Sequence, residues 1–427
     1  MTSMWWRSLT HTTLCPAEQS APKASLAVHT PVSTVRSEER RALLPIGGTF
    51  VVFGMFWGSW AVATADIRSS YGLSDAQLGT LLAVAVTASG IVGAIVGNRA
   101  ERWGAVPTLV RSLLVWAVLL ALTGAARTRT EFIAVFIATM AAGGCVDMTM
   151  NAASAARLGN RPGGLVRFHG IFNVGALLGA VALGSLVQVQ VSWRWVWPMV
   201  AVVALPIAAW VHVRGSDPRR SDASAADGDH LDADDDSHVP FLRSLALLRA
   251  DGLVMLLIVF AAAEIVEGGV DTWGVLFLRT HLAATALVGA SAYGLGQGIA
   301  ILTRGMGGPS LGRIGPRLGV IAGAGGACAG LALEALASTP LLAGFGLALA
   351  AGGSSIFWPL LMAHVSTVAS RPTATVSAFT AAGYLGWVAG APIIGLLADT
   401  WGLGAGLGVT AALAGLVAAL MAVKRHL

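Results

Sequence analysis

An all-α polytopic membrane protein, with twelve transmembrane helices arranged as two pseudo-symmetric six-helix bundles, is the fold class this sequence predicts. Three observations lead there. Of the 427 residues, 55% are hydrophobic and 11% charged, with a mean hydropathy of +0.72, a balance that suits a chain dissolved in lipid. Apolar runs of about twenty residues, the length that crosses hydrocarbon, recur along the whole chain. A short basic turn also appears twice, in residues 97–104 and 308–315.

The runs fall at 43–66, 76–98, 106–125, 131–154, 167–188, 195–214, 252–276, 285–306, 317–338, 341–364, 373–397 and 403–423, numbered here helices 1 to 12. All are read as helices, because a lone strand leaves its backbone groups unpaired in lipid. Ser74-Asp75-Ala76-Gln77 forms a capping box that fixes the start of helix 2. Residues 1–42 have too short an apolar core for a secretory leader and continue as a polar Ser/Thr/Pro stretch, so they are expected to be a disordered cytoplasmic tail. Residues 215–250 begin with an acidic, Ser/Ala-rich stretch and form a cytoplasmic linker, which separates an N-terminal bundle, 43–214, from a C-terminal bundle, 251–427.

The net charge of +5 is explained by topology and not by a nucleic-acid partner. Among 27 Lys and Arg residues, only Arg68, Arg127, Arg129, Arg194 and Arg279 fall away from the side that holds the tail and the linker. The positive-inside rule then makes that side cytoplasmic, with both termini inside the cell and the chain in the inner (plasma) membrane. Cys15, Cys145 and Cys328 share no close spacing, so neither a disulfide framework nor a metal site is indicated, and no cofactor is expected. Trp193, Trp195, Trp197, Trp273 and Trp401 lie near the outer helix ends, where an aromatic belt is the plain reading.

The repeated turn reads G-x-x-x-x-R-x-G in both copies: Gly97, Glu101, Arg102 and Gly104 in the first, Gly308, Arg313 and Gly315 in the second. Glycines permit the tight reversal, and Arg99 and Arg102 can hold lipid headgroups or helix C-terminal carbonyls. Matched small-residue pairs support the duplication: Gly175 and Gly179 in helix 5 with Gly386 and Gly390 in helix 11, and Gly143-Gly144 in helix 4 with Gly352-Gly353 in helix 10. This pattern resembles the major facilitator superfamily of secondary transporters, over residues from about 43 to the C-terminus. The resemblance implies that the turns latch the two bundles on the cytoplasmic side. Glu101 stands where the superfamily has Asp, and Gly312 leaves the second copy without its acid; Arg304, at the end of helix 8, is a substitute gating residue. Topogenic charge alone is the other reading of these arginines.

Charged groups inside a bilayer cost about 2.5–3.5 kcal/mol each even on the mildest scale. Helix 7 keeps three, Glu264, Glu267 and Asp271, at i, i+3 and i+7 on one narrow stripe. Desolvation and mutual repulsion disfavour three simultaneous negative charges, so the stripe is a candidate proton-coupling site. A wet helix end for Asp271 and a structural hydrogen bond for Glu267 are the alternatives. Helix 4 adds Asp147 and Asn151 on one face, and helix 5 opens with Phe168-His169-Gly170 and continues to Asn173. His169 with Asp147 is a candidate proton relay or inward gate, and an interfacial histidine the plainer reading. The run from Glu267 through Asp271 and Trp273, together with Asp147/Asn151 and Phe168-His169-Gly170, is similar to fucose-permease-like and rhizopine-permease-like carriers, in which the acid stands directly before the Trp. Here Thr272 holds that position.

Phe53, Phe56, Trp57 and Trp60 form an aromatic stripe on helix 1, facing either a solute or other helices. Trp57, Trp60, Asn151, Asn173 and Gln297 are the candidate solute-binding residues. Glu334 in helix 9 is also intramembrane, but helices in that position lie outside the core of the superfamily's bundles, which argues against a coupling role. Asp232 and Asp234 nominally form a D-x-D motif with His230 and His238 nearby, but they lie in a low-complexity stretch without a nucleophile, a P-loop or a large extramembrane domain. No enzyme is expected. The reading is a monomeric secondary transporter that moves a small sugar-like or polyol solute with protons by alternating access, amid membrane lipids; the alternative is a proton-driven exporter of amphiphilic compounds.

Overall fold

The computed structural model describes residues 32–158, 164–215, 248–306 and 315–423, and every element among them is helical. The first half contains α1 (Val32–Tyr71), α2 (Asp75–Trp103), α3 (Ala105–Ala125), α4 (Arg129–Leu158), α5 (Gly164–Gln188) and, after a 3₁₀ turn at Trp193–Trp195, α6 (Val196–Arg214). In the second half α7 is built from Val254–Gly269, a π turn at Val270–Gly274 and Val275–Thr280. Then come α8 (Ala286–Met306), α9 (Pro316–Leu336), α10 in two pieces (Pro340–Ser354 and Phe357–Val368), α11 (Pro372–Trp401) and α12 (Leu403–Val423). Eleven of these are long and apolar enough to cross a membrane; α7 is divided by its π turn. All packing below lies within residues 39–427.

Helix α1 starts at Val32, well before the expected 43. Helix-forming residues Glu38 to Leu44 continue the backbone ladder past the apolar run, and a helix does not have to end where hydrocarbon does. Residues 1–31 and most of the expected linker, 216–247, lie outside the described residues. So do 307–314, including Arg313, and the side chain of Glu101. Of the repeated turns, the closing glycines are described. Gly104 alone connects α2 to α3 at φ +85°, and Gly315 precedes α9 at φ +77°, a left-handed conformation that suits glycine. Gly97 is not part of the reversal: it lies inside α2 and faces Met148 of α4. Arg99 and Arg102 are exposed.

Glycines also set how closely the helices approach, and the two halves use them alike. Gly54 and Gly58 of α1 lie against the backbone of α5 at Phe172 and Ala176, while Gly175 and Gly179 of α5 lie against α1 at Val51 and Met55. In the second half Gly386 and Gly390 of α11 pack on α7 at Ala261 and Ile265. The α1–α5 and α7–α11 contacts are therefore counterparts. Gly144 of α4 meets Ser89 of α2, as Gly352 of α10 meets Ile299 of α8. Without a hydrophobic drive between helices in lipid, close backbone packing of this kind supplies much of the association.

The halves meet along α2–α11 and α5–α8. The end of the molecule that carries Gly72 is tied by charge as well. Arg279 of α7 forks onto Asp66 of α1 at 2.5 and 3.1 Å and also donates to the Val62 carbonyl at 2.7 Å. Asp399, near the end of α11, accepts from Ser74 Oγ at 2.7 Å and from the amides of Asp75 and Ala76 at 2.9 and 3.1 Å. A carboxylate from one half thus caps a helix of the other, beside the capping box that Ser74 and Gln77 form. Arg68 pairs with Asp75 at 2.9 Å in the same cluster.

Gly175→Ala is expected to destabilise the fold by about 1–3 kcal/mol, because its methyl group meets the Val51 backbone with no flexible neighbour to yield. Gly408→Ala, where a β-carbon meets nothing within 4 Å, is expected to be neutral or slightly stabilising. Thermal unfolding of the two purified variants against wild type checks the contrast.

Candidate functional site

The acidic stripe of α7 faces inward. Between the halves lies a cavity of about 240 Å³ whose lining includes Glu264, Glu267 and Asp271 from α7, Asp147 from α4 and Arg304 from α8. Aromatic walls come from both halves: Phe53 and Trp57 of α1, Trp358 of α10, Tyr384 and Trp387 of α11. The i, i+3, i+7 spacing accounts for the shared direction of the three α7 acids, and the π turn that includes Asp271 widens the helix where the last of them faces the cavity.

Arg304 is the centre of the arrangement. The sequence places it as a gating residue at a helix end; it stands in the last turn of α8, is 7% exposed and reaches into the cavity. Its Nη2 meets Glu267 Oε1 at 3.4 Å, its Nη1 donates to Asn173 Oδ1 at 2.7 Å, and its Nε donates to the Ser355 carbonyl at 3.1 Å. Ser355 stands at the interruption of α10, where the helix breaks between its two pieces. Asn173 is oriented in turn by donating through Nδ2 to Gln297 Oε1. A buried guanidinium needs its donors satisfied and its charge opposed, and three helices besides its own contribute to that.

Asp147 forms a second polar crossing between the halves. Asn151 donates to its Oδ1 at 2.9 Å and to its carbonyl at 2.9 Å, and the Tyr384 hydroxyl donates to its Oδ2 at 3.0 Å. Asp271 is hydrogen-bonded by Tyr293 of α8. Glu264 is 7% exposed, and its Oε1 has no hydrogen-bond partner among the described residues.

The sequence candidates divide as follows. Glu264, Glu267, Asp271, Asp147, His169 and Trp57 all line the cavity. Asn151, Asn173 and Gln297 stand one layer behind, holding Asp147 and Arg304 in place. His169 and Asp147 share the cavity without bonding: Asp147 is engaged by Asn151 and Tyr384, and the His169 ring lies 4.6 Å from Trp358. Trp60 is a core residue, 1% exposed, stacked on Phe136 at 4.7 Å and on Trp197 at 6.4 Å. That stack also corrects the aromatic belt. Trp193, Trp197 and Trp273 are buried, and only Trp195 and Trp401 of the five are exposed.

Tyr384, Trp387, Trp358, Tyr293 and Ser355 were absent from the sequence candidates. A signal for two of them was present. The chain has three tyrosines against 13 phenylalanines and 14 tryptophans, and each tyrosine hydroxyl meets an ionisable side chain: Tyr71 with Arg194, Tyr293 with Asp271, Tyr384 with Asp147. A phenol in an apolar helix needs a partner for its hydroxyl.

Comparisons with known proteins agree with this architecture. The sequence profile of the Major Facilitator Superfamily matches residues 46–391. Membrane protein MosC of Rhizobium meliloti is 25% identical over 362 residues, covering 84% of each chain. An uncharacterized MFS-type transporter of Yersinia pestis is 26% identical over 387 residues, covering 87% of this chain and 92% of its own. Among solved structures, the nucleoside transporter NupG superposes with a TM-score of 0.69 at 16% identity, covering 90% of this chain and 99% of that one. The xylose transporter XylE from E. coli superposes with a TM-score of 0.68 at 15% identity, covering 91% and 98%. With a family profile across most of its length and the fold to match, this multi-pass membrane protein belongs to the Major Facilitator Superfamily of transporters.

Proposed function

We propose that the chain is a proton-coupled carrier of a small sugar-like or polyol solute in the bacterial inner membrane, working by alternating access. The observation that carries this reading is the Arg304–Glu267 pair in a cavity shared by both halves, with Asp147, Glu264 and Asp271 around it. A proton arriving at Glu267 removes the anion opposite Arg304, and Arg304 is tied through Asn173 to the other half. Protonation at α7 thereby alters a contact on which the relation of the halves depends. Aromatic faces at Trp57 and Trp387 suit the apolar face of a sugar ring. The cavity is smaller than the roughly 300–1,000 Å³ of sites for drug-sized ligands, which favours a single ring. Two solved transporters of like fold are named for nucleosides and xylose.

The lysine and arginine asymmetry assigns the Gly104 end to the cytoplasm, with both termini there. On that assignment the ties at the Gly72 end close the outer side, and the lining residues Met150, His169, Trp358 and Arg304 lie toward the inner side. The carrier acts as a monomer, its solute path lying within one chain and its apolar faces against lipid.

A second reading, a proton-driven exporter of amphiphilic cations, draws on the charge balance of the lining. Four carboxylates face one arginine there, and aromatic walls also suit an organic cation.

In liposomes holding a pH-sensitive dye, sugars or polyols are expected to drive proton movement in wild type, and Glu267→Gln is expected to abolish it. A response to amphiphilic cations alone supports the exporter, and wild-type coupling in the variant overturns the site assignment. Asp147→Asn and Tyr384→Phe are expected to raise the half-saturating solute concentration about 10- to 100-fold, the loss of a charge-assisted hydrogen bond of about 1.5–3 kcal/mol.

The outer ties give a separate expectation. In a cysteine-free background carrying Ser89→Cys in the cavity, adding Asp399→Asn with Arg279→Gln is expected to increase labelling by an impermeant thiol reagent from the outside. Unchanged labelling indicates that these ties do not hold the outer side closed.

A further inference from the structure

Glu334 of α9 lies away from the cavity and has no part in the mechanism above. Its side chain is completely buried, and neither carboxyl oxygen has a hydrogen-bond partner among the described residues. An ionised carboxylate left without a cation or donors in an apolar interior costs several kcal/mol or more. The neutral acid is the form that this environment accepts, and an intramembrane acid retained at such a cost is a functional group by default.

The seat of the carboxyl is specific. Oε1 and Oε2 lie 3.2 and 3.5 Å from where a β-carbon on Gly274 would stand, so the acid packs directly against the glycine. Leu347 of α10 closes the same spot. Gly274 is the last residue of the π turn in α7, and Asp271, three residues earlier in that turn, faces the solute cavity. A π turn holds one residue more than an α turn and leaves the local ladder weaker, which makes it a place where a helix can change register. Glu334 and the cavity acid are therefore on two sides of one deformable turn.

The neighbours supply no competing charge. Of the described stretches that pack on α9, Pro340–Ser354 and Leu403–Val423 contain no ionisable side chain, and Phe357–Val368, which carries His364, meets the opposite end of α9 from Glu334, where Leu360 lies against Gly319. On α7 the ionisable groups nearest in sequence to Gly274 are Asp271 and Arg279, and Arg279 is engaged by Asp66. His281, just beyond α7, stacks on Phe277 at 4.9 Å.

We propose that Glu334 is a second proton-binding site, outside the solute cavity, whose occupancy holds α7 in its π-turned arrangement. With the proton bound, the acid packs against Gly274 and the turn stays closed over it. When the O–H bond breaks and the proton passes to water, the carboxylate left behind has to be hydrated, and hydration requires α7 to move away from α9 and α10. Loss of this proton is thus tied to a displacement of the segment that presents Asp271 to the solute. The place of Glu334 in transport rests on the proton-coupled reading above; its capacity to bind a proton does not.

The test uses the purified full-length chain in liposomes. Infrared difference spectra of wild type against Glu334→Gln isolate the carbonyl stretch of one protonated carboxyl, followed from mildly acidic to strongly alkaline pH. The expected result is a band present at neutral pH and lost in alkali. With it, hydrogen exchange across residues 270–276 should rise about tenfold or more over the Gln variant at the same pH, since that variant stays neutral. No band at neutral pH, or a band that persists in alkali with exchange unchanged, overturns the proposal. If Glu334→Gln does not fold, labelling of wild type by dicyclohexylcarbodiimide, which attacks protonated buried carboxyls, gives the same decision: alkali-sensitive modification of Glu334 supports it, and its absence overturns it. Normal proton coupling in Glu267→Gln refutes the transport reading without touching the infrared band, so the two failures are separable.

Discussion

A guanidinium held away from water is the demand around which the centre of this protein is organised. Arg304 lies on α8, and its needs are met by a carboxylate on α7, an amide on α5 and a main-chain carbonyl at the break in α10. The break in α10 has a reason in this light: an intact helix has no free carbonyl to offer at Ser355. Gln297 spends its own hydrogen bond on orienting Asn173, which is why an uncharged pair is buried between the halves. Removing any one of these partners leaves a charge or a donor uncompensated, so the set is expected to respond as a unit.

Much of the architecture was legible in the sequence, because lipid imposes simple rules. Run length points to the helices, and the paired glycines to the places where they pack closely. The α7 acids were legible for the same reason, since charge in hydrocarbon stands out, and their spacing puts them on one face. Arg304 stands at the helix end where the sequence puts it, and only its burial was not legible, because that depends on how the last turn of α8 packs against α5 and α10. Trp60 and the Trp193–Trp197 group were misjudged because an aromatic stripe has no period that separates lipid, solute and core. Tyr384 and Trp358 lie on helices whose inward face only tertiary packing reveals. The rarity of tyrosine is the signal in the sequence that marks Tyr293 and Tyr384.

The Gly72 end and the cavity are held by different chemistry. At the Gly72 end, the halves are tied by exposed or half-buried charges, with Asp399 capping α2 and Arg279 forked on Asp66. These contacts can exchange for water at modest cost. Within the cavity the crossings are buried, Arg304 to Asn173 and Tyr384 to Asp147, and breaking them requires a replacement partner. The buried crossings are therefore responsive to whatever enters the cavity, and the ties at the Gly72 end to solvent and salt.

Trp57 and Trp387 bring indoles from opposite halves to a centroid separation of 5.7 Å at 68°. Two indoles this close and this far from parallel couple their electronic transitions, and the coupling falls steeply as they separate. The protein consequently contains its own optical gauge of the distance between its halves. The part of its near-ultraviolet circular dichroism that is lost on replacing Trp387 reports that distance in unlabelled protein.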